Sequence, residues 1–297
     1  MRRRGAFAAA CRPLAIPSTA AAATARQGAR RRRHPPLTDL FAVLVLALLP
    51  ALPAAAWTPS TQQAIAAEGA ALAPPDLARQ IEKHPRAYRQ GVADPFADGD
   101  AARHSAAADG RLAETIVAEA RRAVAMIEGH QPFEDVVRQL GVLAHYVADL
   151  NDPLAASDAD PREGEYFADY ARYLESAEPR LPLVFYGLLP GLERRGDLAP
   201  LVAAGVERGR ELYPMVGREY RRIGFASGRG LFDDRSTAFG VGSLAFSHAV
   251  TDVAQALRWV WLQAGGGDPR GLPERGDVVL RLPRSAAGAR PLPRLGR

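Results

Sequence analysis

From residue 57 onward the apolar positions recur at helical spacing and nowhere settle into the alternation of strands. Residues 111–128 place Leu112, Ile116, Val117, Val124 and Ile127 along one stripe, as an amphipathic helix does. The same reading predicts helices over 59–72, 75–84, 163–177 and 197–222, the last containing Pro214. Ser236 precedes an apolar run that extends to about Gln263, and serine suits the position just before a first helical turn. Pro132 opens one more helix, at a turn where a missing N–H is no loss, and the Asn-Asp-Pro of 151–153 closes it. No segment of the body alternates and none repeats, so residues 57–264 are expected to form a single all-α domain. From Gly265 the chain turns rich in Gly, Pro and Arg, with one short apolar run at Val278-Val279-Leu280. Residues 265–297 are expected to be a disordered tail.

The helix opened by Pro132 carries the first chemical signal. Between Leu140 and Leu150 it is almost continuously apolar, and only His145 and Asp149 break the run. Four residues apart, they project from one face, a turn from each other. Ionisable groups on a buried stripe need a hydrogen-bond partner, an opposite charge or a metal ion. An imidazole and a carboxylate at this spacing can hold one zinc ion between them. The alternative is a core His–Asp pair that satisfies itself.

Composition narrows the options. The formal net charge of +5 is misleading, because residues 1–56 hold nine arginines and a single acid. The remainder has 29 basic and 32 acidic side chains and only one lysine, Lys83. No basic patch there calls for a nucleic-acid partner. Residues 30–56 read as an export signal: four arginines from Arg30 to Arg33, an apolar run from Phe41 to Leu49, then small residues up to Ala56. The run is too short to span a bilayer, so residues 1–56 are expected to be a leader, removed to leave Trp57 first, and the product to be periplasmic or secreted. The sole cysteine, Cys11, falls in that leader. The rest of the chain therefore has no thiolate, and any zinc must rest on His, Asp, Glu or backbone.

Five histidines follow residue 56: His84, His104, His130, His145 and His248. His84 and His130 sit beside prolines or in turns and are expected on surface loops. His104 ends an acidic loop that contains Asp94, Asp98 and Asp100; that loop is either solvated or a source of ligands. His248 and Asp252 repeat the four-residue spacing on the last helix, but share their stripe with Thr251 and Gln255. A polar strip facing solvent and a second site both fit that pattern.

Several features in order resemble the zinc-dependent phospholipase C and single-strand-specific nuclease superfamily. They are Trp57 directly after the signal, Thr61-Gln62-Gln63-Ala64-Ile65 on the first helix, and Tyr88-Arg89-Gln90-Gly91 ahead of the acidic loop with His104. The most specific is Leu140-Gly141-x-x-x-His145-Tyr146-x-x-Asp149-x-x-x-Pro153. The resemblance runs from Trp57 to about Glu175. It implies an exported all-α protein, a cleft with three zinc ions, one of them on the backbone of the terminal Trp57, and phosphoric esters as substrates, whether phospholipid or nucleotide. It makes Trp57, His104, His145 and Asp149 metal ligands, with Asp149 bridging two ions.

The chain also departs from that pattern. Gln62 stands where the family has a histidine, Phe96 where it has an aspartate, and Ala155 where it has another histidine. Glu165 and Asp169 occupy the place of a final His-x-x-x-Glu pair. Asp94 or Asp98 is near enough to replace the loop aspartate, which makes Asp98 a candidate ligand and, with Asp149, a candidate catalytic carboxylate. Asp169 without imidazoles favours a harder ion such as magnesium or calcium. His248 and Asp252 would complete the set if the last helix folds back over the cleft. Arg103, Arg229 and Arg235 are candidate phosphate ligands, guanidinium being well shaped for that role. The expectation is a metal-dependent hydrolase of phosphoric esters with one to three zinc ions. The alternative is an inactive relative that serves as a binding or structural protein.

Overall fold

The computed structural model describes residues 57–276 and the backbone of 280–282. The export signal, Cys11 and the end of the tail lie outside the described residues. Eight α-helices make up the described body: α1 (Pro59–Ala71), α2 (Pro75–Lys83), α3 (Pro85–Ala93), α4 (Leu112–Glu128), α5 (Phe133–Leu150), α6 (Glu163–Ala177), α7 (Ala199–Arg222) and α8 (Thr237–Gln263). The fold is all-α. Among the described residues no helix is long and apolar enough to cross a membrane.

Local chemistry accounts for the helix starts. Thr58 caps α1 by accepting from the Thr61 N–H, and Ser236 caps α8 by accepting from the Phe239 N–H at 3.2 Å. Pro59, Pro75 and Pro85 each sit in a first turn. Helix α7 begins two residues later than the apolar pattern indicates, because the Asp197 carboxylate caps the Ala199 N–H. It continues through Pro214. Helix α3 has no counterpart in the sequence reading, being only nine residues long, with a short buried face of Ala87, Tyr88, Gly91 and Val92.

Helices α5 and α8 are the centre, and both are buried along most of their length. Helix α3 lies directly on α5. A Cβ added at Gly91 would stand 1.9 Å from the Arg138 carbonyl oxygen, and one at Gly141 2.3 Å from that of Tyr88. Only glycine at both positions lets the two backbones approach so closely. This contact brings the end of α3 against the middle of α5.

Two short strands correct the expectation of a body without strands and a tail without structure. β1 (Leu183–Phe185) pairs antiparallel with β2 (Leu280–Leu282), and Leu188 bridges to Glu274. The reason lies on α8. Ser247 accepts from the Val184 N–H and donates to the Pro182 carbonyl, Thr251 accepts from the Tyr186 N–H, and Gln255 accepts from the Leu189 N–H. The polar strip of α8 is thus buried, and it supplies the hydrogen bonds that segment 182–189 would otherwise lack.

Candidate metal centre

The loop between α3 and α4 is shaped by its aspartates. Asp98 accepts from the Asp100 N–H at 2.7 Å, from the Tyr146 hydroxyl at 2.9 Å and from Arg103 at 2.5 Å. Arg103 reaches on to Glu119 of α4 at 2.7 Å. Asp100 caps the short turn Ala101–His104. These ties fold the loop onto α5 and press His104 against it.

Three polar groups then meet in the interior. His145 is 0 %, Asp149 2 % and His104 7 % exposed. His104 Nδ1 lies 2.7 Å from Asp149 Oδ2, His145 Nε2 lies 3.2 Å from the same oxygen, and the two nitrogens are 3.4 Å apart. The other Asp149 oxygen accepts from Gln62 at 2.5 Å, and Phe96 closes edge-on against the His145 ring at 4.7 Å. Where the family pattern calls for a histidine and an aspartate, a neutral amide and an aromatic ring surround the cluster instead.

The hydrogen-bond arithmetic is informative. His145 Nδ1 lies 2.8 Å from the Val92 carbonyl oxygen, one of the last-turn carbonyls that a helix leaves without an internal partner. The N–H of His145 belongs there, so its Nε2 lone pair is aimed at a carboxylate oxygen. A lone pair and a carboxylate at that distance call for a hydrogen or a metal ion between them; the His104 Nδ1–H, with its nitrogen 2.7 Å from the carboxylate oxygen and 3.4 Å from the lone-pair nitrogen, is one such group and a metal ion is the other. Burial works against charge on His104 and Asp149 alike. Even so, the Asp149 carboxylate raises His104 above the usual imidazole range, and the two imidazoles hold Asp149 below the usual carboxylate range.

The trio can hold a metal ion. Four donors about 2.0–2.1 Å from zinc in a tetrahedron are about 3.3 Å from one another; the two edges that His145 makes, 3.2 and 3.4 Å, are close to that, while the His104–Asp149 edge of 2.7 Å is a hydrogen-bond distance that an ion would have to spread. The far side of the His145 ring also fits, and that of His104 does not. Ligating histidines usually give their second N–H to a carbonyl or carboxylate; His145 gives its own to Val92, and His104 Nε2 faces Asp98 Oδ1 at 3.9 Å. His104 Nε2 is otherwise buried without a partner.

The other expected site residues are placed elsewhere. Asp98 lies behind His104, its oxygens engaged by Arg103, Tyr146 and the Asp100 N–H. Asp169 accepts from Tyr220, Ser227 and the Gly228 N–H at 2.7–2.8 Å, pinning the loop after α7. Glu165 is an exposed partner of Arg162. Asp252 is met by Arg208, Asn151 and Gln255, and His248 stacks on Tyr186 with ring centroids 4.0 Å apart. Among the described residues His248 and Asp252 do not join the trio, so the anticipated repair of the ligand set is absent. Asp252 already has a cation, and the His248 ring is held against Tyr186, the residue after β1. Arg103 is committed to two carboxylates, while Arg229 and Arg235 are exposed in a loop. Trp57 is buried, and its indole N–H donates to the Ala148 carbonyl at 3.0 Å.

Outside the trio, a cleft of about 500 Å³ opens over Asp98, Arg103, Glu119, Arg138 and Tyr146. A larger groove of about 1090 Å³ between α4 and α7 contains none of the three ligands. Sequence reasoning missed the Val92 carbonyl, which no side-chain pattern signals, and Arg208, one arginine among many. No protein-family model and no curated protein matches the chain.

Proposed function

We propose that this is an exported metalloprotein that binds one zinc ion through His104, His145 and Asp149 and uses it to hold the helical body together. The observation that carries this reading is the His145 lone pair aimed at Asp149, with its own N–H anchored on Val92. Two imidazoles and one carboxylate suit zinc better than magnesium or calcium. The residue pattern from Trp57 to Pro153 resembles that of the zinc-dependent phospholipase C and nuclease superfamily, but the surroundings of the trio support a binding or structural role over turnover. The trio is buried, no arginine stands free beside it, and Ala155, Glu165 and Asp169 offer no second imidazole position.

Phosphoric-ester hydrolysis remains a second reading, favoured by the cleft one side chain away from His104. A zinc ion bound there supplies a Lewis acid for phosphoryl oxygens. In that reading Asp98 holds the loop that carries His104, and Tyr146 and Arg103 line the approach. Metal analysis of a chain beginning at Trp57, together with turnover of a chromogenic phosphodiester, tests both. The expected result is one equivalent of zinc, a Tm lowered by chelator and no turnover. Absence of a bound transition metal overturns the assignment, and chelator-sensitive turnover replaces the structural reading with the hydrolytic one.

A further inference from the structure

Asp152, at the end of α5, is 1 % exposed, and none of the partners that occupy the trio serves it. One oxygen accepts from the Leu154 N–H at 2.9 Å and so shapes the turn Pro153–Ala155. The other, Oδ2, is buried with no hydrogen-bond partner. Burial pushes this carboxyl well above the usual carboxylate range, and the negative charges of Asp149 on α5 and Glu163 on α6 add to that; the donor that faces it from outside α5 is the backbone N–H of Trp57. No cation is paired with Asp152 among the described residues, in contrast to Asp252 with its Arg208. A buried carboxylate with a vacant oxygen is costly unless a positive donor reaches it. Trp57 itself is fixed in place, 1 % exposed and tied by its indole to Ala148.

We propose that Asp152 is the receptor for a new chain terminus, so that cleavage between Ala56 and Trp57 creates a buried ion pair between the Trp57 α-ammonium and the Asp152 carboxylate. Hydrolysis by a peptidase consumes one water. The Ala56 carbonyl carbon takes its oxygen and becomes a carboxylate, and the Trp57 nitrogen leaves as an amine. At neutral pH that amine takes up a proton. A neutral amide with one N–H is thereby replaced by a cation with three, at a place where one carboxylate oxygen lacks a donor. Cleavage then locks the start of α1 to the end of α5, and the uncut chain lacks that lock. The inference does not depend on the metal.

Thermal unfolding in chelator, so that no metal contributes, tests it on chains beginning at Ala51 and at Trp57, each with Asp152 and with Asp152→Asn. The Trp57 start is expected to melt about 5 °C higher than the Ala51 start, and the gap is expected to vanish in Asp152→Asn. Equal melting of the two starts overturns the proposal, as does a gap that survives Asp152→Asn. A gap seen only when zinc is present also overturns it, since the amine would then be a metal ligand. Should Asp152→Asn not fold, Nα-acetylation of the Trp57 start decides: loss of the added stability supports the pair, and its retention overturns it.

Discussion

Two buried helices of this protein carry histidine and aspartate four residues apart, and they put the pair to different uses. On α5, His145 and Asp149 turn toward the same point and a third group, His104, arrives from a loop. On α8, Asp252 is neutralised by Arg208 and held by Asn151 and Gln255, while His248 turns aside to stack on Tyr186. Spacing alone is the same in both. What differs is the charge brought by the neighbouring elements: around α5 they bring an imidazole, an amide N–H and a carbonyl, which leaves a place for a cation, and around α8 they bring the cation itself. A stripe of ionisable residues can take a metal ion where the packing leaves the positive charge unsupplied.

The sharpest way to break this comparison is to delete one histidine from each pair. His145→Ala is expected to take bound zinc from one equivalent per chain to below about 0.1, measured by metal analysis after dialysis, whereas His248→Ala should keep the full equivalent. Loss in both, or in neither, would remove the distinction. Arg208→Met comes next. It strands Asp252 in the interior and is expected to lower stability by about 3–5 kcal/mol in urea unfolding without changing metal content. Adding Asp252→Asn to Arg208→Met should recover a large part of that loss, because no buried charge then lacks a partner.

Smaller effects sharpen the contrast. Asp98→Asn leaves the three ligands intact but weakens the ties to Arg103 and Tyr146 that hold the His104 loop on α5, so zinc affinity is expected to fall by about 10–100-fold in a competition titration. The last contrast concerns pH. Burial, helped by the positive charge of Arg208, pushes His248 down to about 3. The unfolded chain therefore binds the proton first. Stability contributed by the neutral ring is complete above the unfolded imidazole range and is lost as pH falls below about 6.5, at up to about 1.4 kcal/mol per pH unit. His248→Phe keeps an aromatic ring on Tyr186 and should flatten that part of the acid-unfolding curve. An unchanged curve would mean that His248 is not held neutral.

The two pairs also show how far the pattern of residues reaches. Helical spacing was enough to locate seven of the helices, with the caps at Ser236 and the prolines marking their starts. It was not enough for α3, whose nine residues become a helix by lying on α5 through Gly91 and Gly141. Nor did it identify the strip Ser247, Thr251 and Gln255 as interior, because polar side chains that satisfy a strand's backbone look the same in sequence as side chains that face water. Leu280–Leu282 is a strand only because β1 offers it an edge.

What the sequence determined by itself is the class of fold and the oddity of His145 and Asp149, since both follow from local periodicity and from the price of burying charge. Which of two identical spacings gathers a third ligand, and which is answered by an arginine, was decided by the tertiary structure. Those partners are 41 and 44 residues away along the chain, and only packing brings a loop histidine, a helix-end carbonyl or a guanidinium within hydrogen-bond reach.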